Sequence, residues 1–190
     1  MSDEDRVRWD RRYADRDVGS TDDVALPKVF RPHSETFPDA GRALDLGCGS
    51  GGVAVWLAQR GLEVRGYDVS AVAITQAREL AELCGVASHC RFEQVDLDDG
   101  LPAGPRVNLV ICNRFRDRRL DRPIVARLVD GGLLAISALS EVGAAPGRFR
   151  AKAGELRRAF DGLDVIAERE ADGESWLLAR RPGRDGSTIT

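Results

Sequence analysis

Short apolar runs alternate with helical patterns along most of the chain, and several runs end at glycine or at a carboxylate. The first run, residues 42–46, stops at a glycine-rich turn, and residues 53–58 then have the composition of a helix. Residues 62–68 alternate like a second strand, and apolar residues recur at helical spacing over residues 71–83. This alternation of strand and helix predicts a parallel sheet with helices on both faces.

Further apolar runs predict strands at residues 90–96, 107–112 and 133–137. Residues 163–168 and 174–179 break the alternation, because they flank an Asp-Gly turn signal and are typical of the two arms of a hairpin. The pattern therefore predicts an α/β fold with a doubly wound, mostly parallel sheet that ends in an antiparallel hairpin.

Composition and charge narrow the class of protein. The length of 190 residues and the hydrophobic content of 43% fit one globular domain. The net charge of −3 does not indicate a general electrostatic grip on nucleic acid, so we expect no nucleic-acid partner. No apolar stretch reaches the roughly 18 residues that span a bilayer, and the first residues are acidic, so we expect a cytoplasmic protein without a membrane partner. The four cysteines form no CxxC pair and the chain has two histidines, so we expect no metal site.

The turn at residues 47–52, Gly-Cys-Gly-Ser-Gly-Gly, is the first candidate for ligand chemistry. Glycine lets the backbone approach a ligand closely, and the helix that follows offers unpaired N–H groups. The spacing satisfies G-x-G-x-x-G, the dinucleotide fingerprint, and G-x-G-x-G equally well. Two ligand classes therefore remain open at this turn.

Carboxylates at strand ends separate the two classes. Asp45 precedes the turn, where a pyrophosphate about 4 Å away would be repelled by roughly 4 kcal/mol at an effective dielectric near 20. An α-amino group would be attracted instead, so Asp45 favours S-adenosylmethionine over NAD. Asp68 ends the second strand, where a carboxylate accepts hydrogen bonds from ribose hydroxyls. Asp96 ends the third, where it can accept a hydrogen bond from the adenine amino group while Leu97 and Val69 cover the ring.

Residues 43–51, Ala-Leu-Asp-Leu-Gly-Cys-Gly-Ser-Gly, closely resemble the first motif of class I S-adenosylmethionine-dependent methyltransferases. The resemblance extends over residues 40–180, and residues 9–13 resemble the Trp-x-x-x-Tyr opening of small members. Residues 149–156 are similar to a segment of tellurite-resistance-type and thiopurine-methyltransferase-like small-molecule enzymes. The resemblance implies a Rossmann-like methyltransferase fold with a seven-stranded sheet whose last strand is antiparallel.

The resemblance also implies roles for particular residues. Asp45 would serve the methionine ammonium, Asp68 the ribose, and Asp96 the adenine. Tyr13, Arg114 and Phe115 are expected on the acceptor side, and no catalytic residue is assigned. The residues expected to contact S-adenosylmethionine, or its product S-adenosylhomocysteine, are Asp45, Gly47, Cys48, Gly49, Gly51, Asp68, Val69, Asp96, Leu97 and Asn113.

We expect three segments along the chain. Residues 1–40 hold a helix and then a proline-interrupted stretch, which we interpret as a flap over the active site. Residues 41–181 form the cofactor-binding methyltransferase domain, and residues 182–190 form a flexible tail. Arginines crowd residues 114–122 beside the expected acceptor mouth, and because aspartates partly balance them we interpret this stretch as a solvated loop.

The expected function is methyl transfer from S-adenosylmethionine to a small-molecule acceptor by in-line displacement, mainly through alignment of donor and acceptor. One alternative is a non-catalytic S-adenosylmethionine- or S-adenosylhomocysteine-binding protein of methyltransferase fold. Another is an NAD-dependent oxidoreductase, which Asp45 disfavours. We expect a monomer or a homodimer.

Overall fold

The structure, a computed structural model, describes residues 3–15, 21–147 and 150–183. Its elements follow the alternation of strand and helix that the sequence predicts. In chain order they are α1 (Asp3–Ala14), β1 (Gly41–Leu46), α2 (Gly52–Gln59), β2 (Leu62–Asp68), α3 (Ala71–Leu83), β3 (Cys90–Gln94), β4 (Val107–Cys112), α4 (Asp121–Arg127), β5 (Leu128–Ser140), β6 (Arg150–Ala151), α5 (Glu155–Ala159), β7 (Asp164–Ala171) and β8 (Glu174–Arg180).

Within the described residues, one mixed sheet of eight strands has the order β3-β2-β1-β4-β5-β8-β7, and the two-residue β6 pairs with β5. Strands β1 to β5 are parallel, so that Asp45 of β1 lies between Gly66 of β2 and Ile111 of β4. β8 lies antiparallel between β5 and β7, with Trp176 opposite Ser137. The doubly wound fold with an antiparallel last strand is therefore confirmed. Strand order reverses beside β1, which places the ligand cleft of this fold at the carboxyl ends of β1 and β4.

Alternating residues of the central strands serve two cores, one on each face of the sheet. Ala43 of β1 faces α2 and α3 and belongs to a buried cluster with Leu57. Its neighbour Leu44 faces the other side, in a cluster with Ile124 of α4 and Leu156 of α5. Burial on both faces explains why β4 is an almost continuous apolar run.

The crossover from β3 to β4 departs from this pattern. Residues 95–106 are all described and contain the 3-10 turn Leu97–Asp99 in place of an α-helix. Leu97 packs in one cluster with Tyr67 near the carboxyl end of β2. Toward the amino end of β2, Arg65 is half-buried and Glu63 is exposed. One face of the sheet is therefore open here, which matches the alternation of polar and apolar residues in β2.

Residues 26–37 pack into the core, which differs from the flap expected there. Phe30 is fully buried, with its ring centroid 5.8 Å from that of Trp176 and 6.2 Å from that of Phe37. A segment that supplies aromatic side chains to the core cannot lift freely from it. The division of the chain at residue 40 stays a prediction.

Two strand boundaries differ from those predicted. β3 ends at Gln94, because the Asp96 carboxylate caps the following 3-10 turn by accepting a hydrogen bond from the Asp98 N–H at 2.9 Å. β5 extends over Leu128–Ser140, beyond the predicted residues 133–137, because its two sides pair with β4 and β8.

The carboxyl-terminal end of the domain is tied to the sheet. The Arg181 N–H donates to the Gly132 carbonyl at 2.9 Å, and its guanidinium donates to the Val125 and Leu128 carbonyls. Most of the expected tail, from residue 184 onward, lies outside the described residues. Among the helices of the described ranges, none has both the length and the apolar character needed to cross a membrane.

Candidate active site

The turn after β1 holds three glycines in left-handed backbone conformations. The φ angles of Gly47, Gly49 and Gly51 are +72°, +54° and +83°, a region that residues with a Cβ rarely adopt. The N–H groups of Gly47 and Cys48 both donate to the Tyr67 carbonyl of β2, at 2.8 and 3.0 Å. The backbone conformation of this turn therefore requires glycine whether or not a ligand is bound.

Two side chains from other segments lie directly against this turn. A Cβ built on Gly47 would lie 2.9 Å from Cβ of Phe115, and one built on Gly49 would lie 2.7 Å from the Tyr13 hydroxyl oxygen. Real Cβ atoms do not approach other atoms so closely. The structure thus brings Tyr13 and Phe115, two of the residues expected on the acceptor side, to the glycine turn.

Asp68 connects the turn to the start of α3. Its two carboxylate oxygens accept hydrogen bonds from the Gly49 and Ser70 N–H groups, each at 2.9 Å. Burial raises the pKa of Asp68, the backbone donors act in the opposite direction, and the charge of Asp10 raises the pKa further. The carboxylate is therefore held in one orientation at the strand end where the sequence predicts a ribose contact.

Helix α1 is anchored over the end of β2 and the start of α3. The Ser70 hydroxyl donates to the Asp10 carboxylate at 2.6 Å and accepts from the Ala73 N–H, so Ser70 caps α3. The Gln76 side-chain amide donates to the Tyr13 carbonyl at 3.0 Å. Sequence reasoning did not identify Asp10 or Gln76. The position of Asp10 three residues before Tyr13 on one helix face was the available signal.

Asp45 has a buried carboxylate with an unsatisfied oxygen. The residue is 2% exposed, and its Oδ2 has no hydrogen-bond partner among the described residues. Burial raises the pKa of Asp45 to about 7, and the charge of Asp68 contributes to this increase. Because an unpartnered buried carboxylate is costly, this oxygen favours a ligand that carries positive charge or donates a hydrogen bond.

Cys48 contributes its backbone to the turn. Burial, together with the charges of Asp45 and Asp68, raises the pKa of the Cys48 thiol well above its ordinary range. A neutral, buried thiol is a poor nucleophile and a poor metal ligand. Cys48 therefore acts here through its N–H and its small size.

The residues predicted for the adenine lie around the ends of β2 and β3. Val69 and Leu97 are buried, and the Val69 carbonyl accepts a hydrogen bond from the Gln94 side chain at 3.0 Å. Asp96 is half-buried and uses Oδ1 to cap the 3-10 turn that follows it. The structure brings the three predicted residues to one edge, and their contact with adenine stays a prediction.

Asn113 and Arg114 follow β4 at the switch point and are fixed by β5. The Ser137 hydroxyl donates to Asn113 Oδ1 at 3.0 Å and accepts from the Arg114 N–H at 3.0 Å. The φ angle of Arg114 is +55°, an uncommon conformation for a non-glycine residue and one that clusters at functional sites. Sequence reasoning missed Ser137, although a serine within the apolar run of β5 was a signal.

The loop arginines, which we define as Arg114, Arg116, Arg118 and Arg119, are paired with carboxylates. Burial alone would raise the pKa of Glu155, but hydrogen bonds, led by that from Arg118, lower it to about 2. The ion pairs are Arg114 with Glu174, Arg116 with Asp121 and Glu155, Arg118 with Glu155, and Arg119 with Asp98 and Asp117. Internal pairing therefore takes up much of the positive charge of this loop.

The fold and the site define a class of enzyme. The unsatisfied Asp45 oxygen suits an ammonium group, and Asp68 stands at the adjacent strand end, so the residues present fit S-adenosylmethionine better than a dinucleotide. This combination with a doubly wound sheet defines the class I S-adenosylmethionine-dependent methyltransferases. The family described as "Methyltransferase domain" matches residues 43–129 of the chain. The predicted class, with S-adenosylmethionine as its cofactor, is confirmed.

Two curated relatives are similar to parts of the chain. The chain is 37% identical over 112 residues to ribosomal RNA small subunit methyltransferase C of Alcanivorax borkumensis, covering 54% of this chain and 33% of that protein. It is 33% identical over 149 residues to ribosomal protein L11 methyltransferase of Desulfitobacterium hafniense, covering 77% of this chain and 44% of that protein. The chain thus spans less than half the length of either relative.

Among solved structures, TehB from Haemophilus influenzae superposes with a TM-score of 0.72. The two chains are 17% identical, and the match covers 83% of this chain and 63% of TehB. At this identity the likeness concerns the fold.

The expected partners, a small-molecule acceptor and no nucleic acid, were wrong. The relatives are named for ribosomal RNA and for ribosomal protein L11. The expectation of no nucleic-acid partner rested on the net charge of −3, which averages over the whole chain and therefore carries no information about local clusters of charge.

Proposed function

We propose that this chain binds S-adenosylmethionine at the carboxyl ends of β1, β2 and β3 and transfers its methyl group to an acceptor. The observation that supports this function is the buried Asp45 carboxylate, whose Oδ2 lacks a partner among the described residues. An ammonium group would satisfy this oxygen and neutralise its charge, whereas a diphosphate would add a second negative charge.

The other site residues have complementary tasks in this proposal. Asp68 accepts hydrogen bonds from the ribose with lone pairs that the Gly49 and Ser70 N–H groups leave free. Tyr13 covers the glycine turn from α1 and excludes water from it. Leu97 and its neighbours at the ends of β2 and β3 enclose the adenine.

Bound S-adenosylmethionine supplies a methyl group that is already activated, and its transfer is an in-line displacement. The task of the chain is therefore to align the acceptor and to exclude water. Asn113 and Arg114, which Ser137 holds in place, lie on the acceptor side, and Phe115 packs against Gly47. No described residue is assigned as a base.

The names of the relatives indicate which methyl acceptors to test. Ribosomal RNA and ribosomal protein L11 are named in the relatives, so both are the first acceptors to test. Such acceptors would place the protein in the cytoplasm, as the sequence predicts.

Two measurements test the proposal. Calorimetry is expected to show stoichiometric binding of S-adenosylhomocysteine and none of NADH; the reverse result would overturn it. Methyl-labelled S-adenosylmethionine is then incubated with ribosomal RNA and ribosomal proteins, with thiols and phenols as controls, and label is expected in the RNA or in a protein. Cofactor binding without transfer to any of them would support the non-catalytic alternative.

A further inference from the structure

A second charged region lies at the end of the sheet opposite to the cofactor site. A groove of about 230 Å³ opens between the amino-terminal halves of β1, β2 and β3 and the loop that leads into β4. Glu63 is the carboxylate among its lining residues, all of which are described. The positive charge of the groove comes from four residues, which we name the groove arginines: Arg42, Arg65, Arg91 and Arg127.

The groove exists because the crossover from β3 to β4 has no α-helix. In a doubly wound sheet such a helix normally covers this face, and the strands beneath it are apolar. Here Arg65 and Arg91 are paired across β2 and β3 in parallel register and lie on the uncovered face. Leu44 and Val107 line the groove between them and Arg127. The polar residues of β2 and β3 therefore lie on the face of the sheet that no crossover helix covers.

Most of the positive charge in the groove is not neutralised by the protein. Arg42, Arg65 and Arg127 have no carboxylate oxygen within 4 Å among the described residues, and Arg127 donates to the Pro102 carbonyl, which carries no formal charge. Arg91 pairs with Glu93 at 3.3 Å while 70% of its side chain remains exposed. Four arginines that line one groove with fewer carboxylates beside them repel one another, so binding of an anion is favourable here.

The exposure of the groove to water, where Arg42 and Glu63 are exposed, indicates which kind of anion it favours. Because the groove is open to water, a single small anion would remain hydrated and gain little. An extended polyanion gains from each phosphate it places against an arginine, because each such contact releases condensed counterions. Arginine is also the residue best suited to phosphate, through its planar set of donors.

We infer that the groove arginines form a docking site for the phosphate backbone of RNA. The β2 residues that line the groove, 63–65, lie three to five residues before Asp68, about 10–17 Å away at the usual rise per residue, so the docked phosphates are separate from the methylated group. The contacts are to the backbone and are independent of base sequence. This inference goes beyond the proposed methyl transfer and does not depend on it.

The test measures binding of a short labelled oligouridine by fluorescence anisotropy, with S-adenosylhomocysteine present. For three or four phosphate contacts, log affinity is expected to fall against log salt with a slope of about −2 to −3 between about 50 and 200 mM. The double variant Arg42→Gln/Arg65→Gln is expected to bind at least about tenfold more weakly at low salt, with a slope smaller by about 1.4. The control Arg169→Gln removes the same kind of charge at the other edge of the sheet, from an exposed pair with Asp172, and is expected to stay within about twofold.

Two results would overturn the inference. One is an unchanged affinity and salt slope in the double variant. The other is competition by AMP or inorganic phosphate at the same phosphate concentration as the oligonucleotide, which would assign the groove to a small phosphate ligand. If the double variant does not fold, the exposed Arg42→Gln alone is expected to reduce the slope by about 0.7. If the unaltered protein does not bind S-adenosylhomocysteine, the proposed function is contradicted and the RNA result is unaffected.

Discussion

The two ends of the central sheet carry opposite charges that the fold leaves without internal partners. At the carboxyl end, Asp45 is buried beside the glycine turn with one oxygen unsatisfied among the described residues. At the amino end, Arg42 and Arg65 line an open groove without carboxylate partners in the described part of the chain. The first arrangement favours a cationic group and the second an anionic one. The position of unpaired charge is therefore more informative about ligands than the net charge of −3.

Replacement of Asp68, at the carboxyl end of the sheet, is expected to have the largest effect. Asp68→Ala removes the acceptor for the Gly49 and Ser70 N–H groups, so the free energy of unfolding is expected to fall by about 3 kcal/mol. S-adenosylhomocysteine affinity is expected to fall by a further 10- to 150-fold, about 1.5–3 kcal/mol, through loss of the ribose contact. Denaturant titration and calorimetry measure the two effects, with the exposed Asp164→Ala as control. Unchanged affinity in a folded Asp68→Ala protein would remove Asp68 from the site.

Replacement of Asp45 separates binding from folding. Asp45→Asn keeps the shape of the side chain and removes its charge, so the protein without ligand is expected to become more stable, because an unpaired buried charge is lost. Affinity for S-adenosylhomocysteine is expected to fall about 10- to 100-fold. Thermal unfolding with and without ligand measures both. A variant that is less stable and binds normally would show that Asp45 has only a structural role.

The raised pKa of Asp45 predicts opposite effects of pH on stability and on binding. Because its folded-state pKa of about 7 lies above the ordinary value of 3.8, its contribution to stability is full below about pH 4 and is lost as pH rises through 7. Binding of an ammonium group needs the ionised carboxylate, so affinity is expected to rise about tenfold from pH 6 to pH 8. Calorimetry across this range, with Asp45→Asn as the matched control, measures the change. The control is expected to show a flat profile, and equal slopes in both proteins would contradict the assignment.

The smallest effect is expected from an arginine that already has a carboxylate partner. Arg118 pairs with Glu155 at 2.6 Å, and Glu155 also holds Arg116. Arg118→Gln is expected to change oligouridine affinity by less than about twofold and unfolding free energy by less than about 1 kcal/mol. Arg65→Gln removes the same charge, so the two variants have equal net charge and their affinities can be compared directly. A larger loss from Arg118→Gln than from Arg65→Gln would reverse our ranking of the two arginine clusters.

The chain order of the fold was predictable because it depends on local patterns. Residues 71–83 were predicted as a helix and form α3 with the same bounds, and the Asp-Gly turn correctly indicated the β7–β8 hairpin. The core position of Phe30 was not predictable, because the prolines around it suggested an exposed segment and its partner Trp176 is distant in the chain. Contacts between distant residues decide such cases.

The two arginine clusters show that contacts between distant residues also limit what the sequence predicts about the site. The loop arginines are close in sequence and were interpreted as part of a solvated loop, yet carboxylates from other elements, such as Glu155 and Glu174, pair with them. Arg42 and Arg127 are distant in sequence, and the topology of the sheet brings them to one groove. Motif reasoning identified the glycine turn and Asp68 because a single crossover positions both. It missed Ser137 and the groove, whose function depends on neighbouring strands.

The pairing of Asp45 with the ligand ammonium is the central claim, and a double-mutant cycle tests it most directly. Calorimetry compares S-adenosylhomocysteine with its analogue lacking the amino group, on the unaltered protein and on Asp45→Asn. We predict that the unaltered protein prefers the amino compound by at least about tenfold and that Asp45→Asn binds the two compounds within about twofold of each other. The same preference in both proteins would show that the ammonium binds elsewhere and would contradict the account.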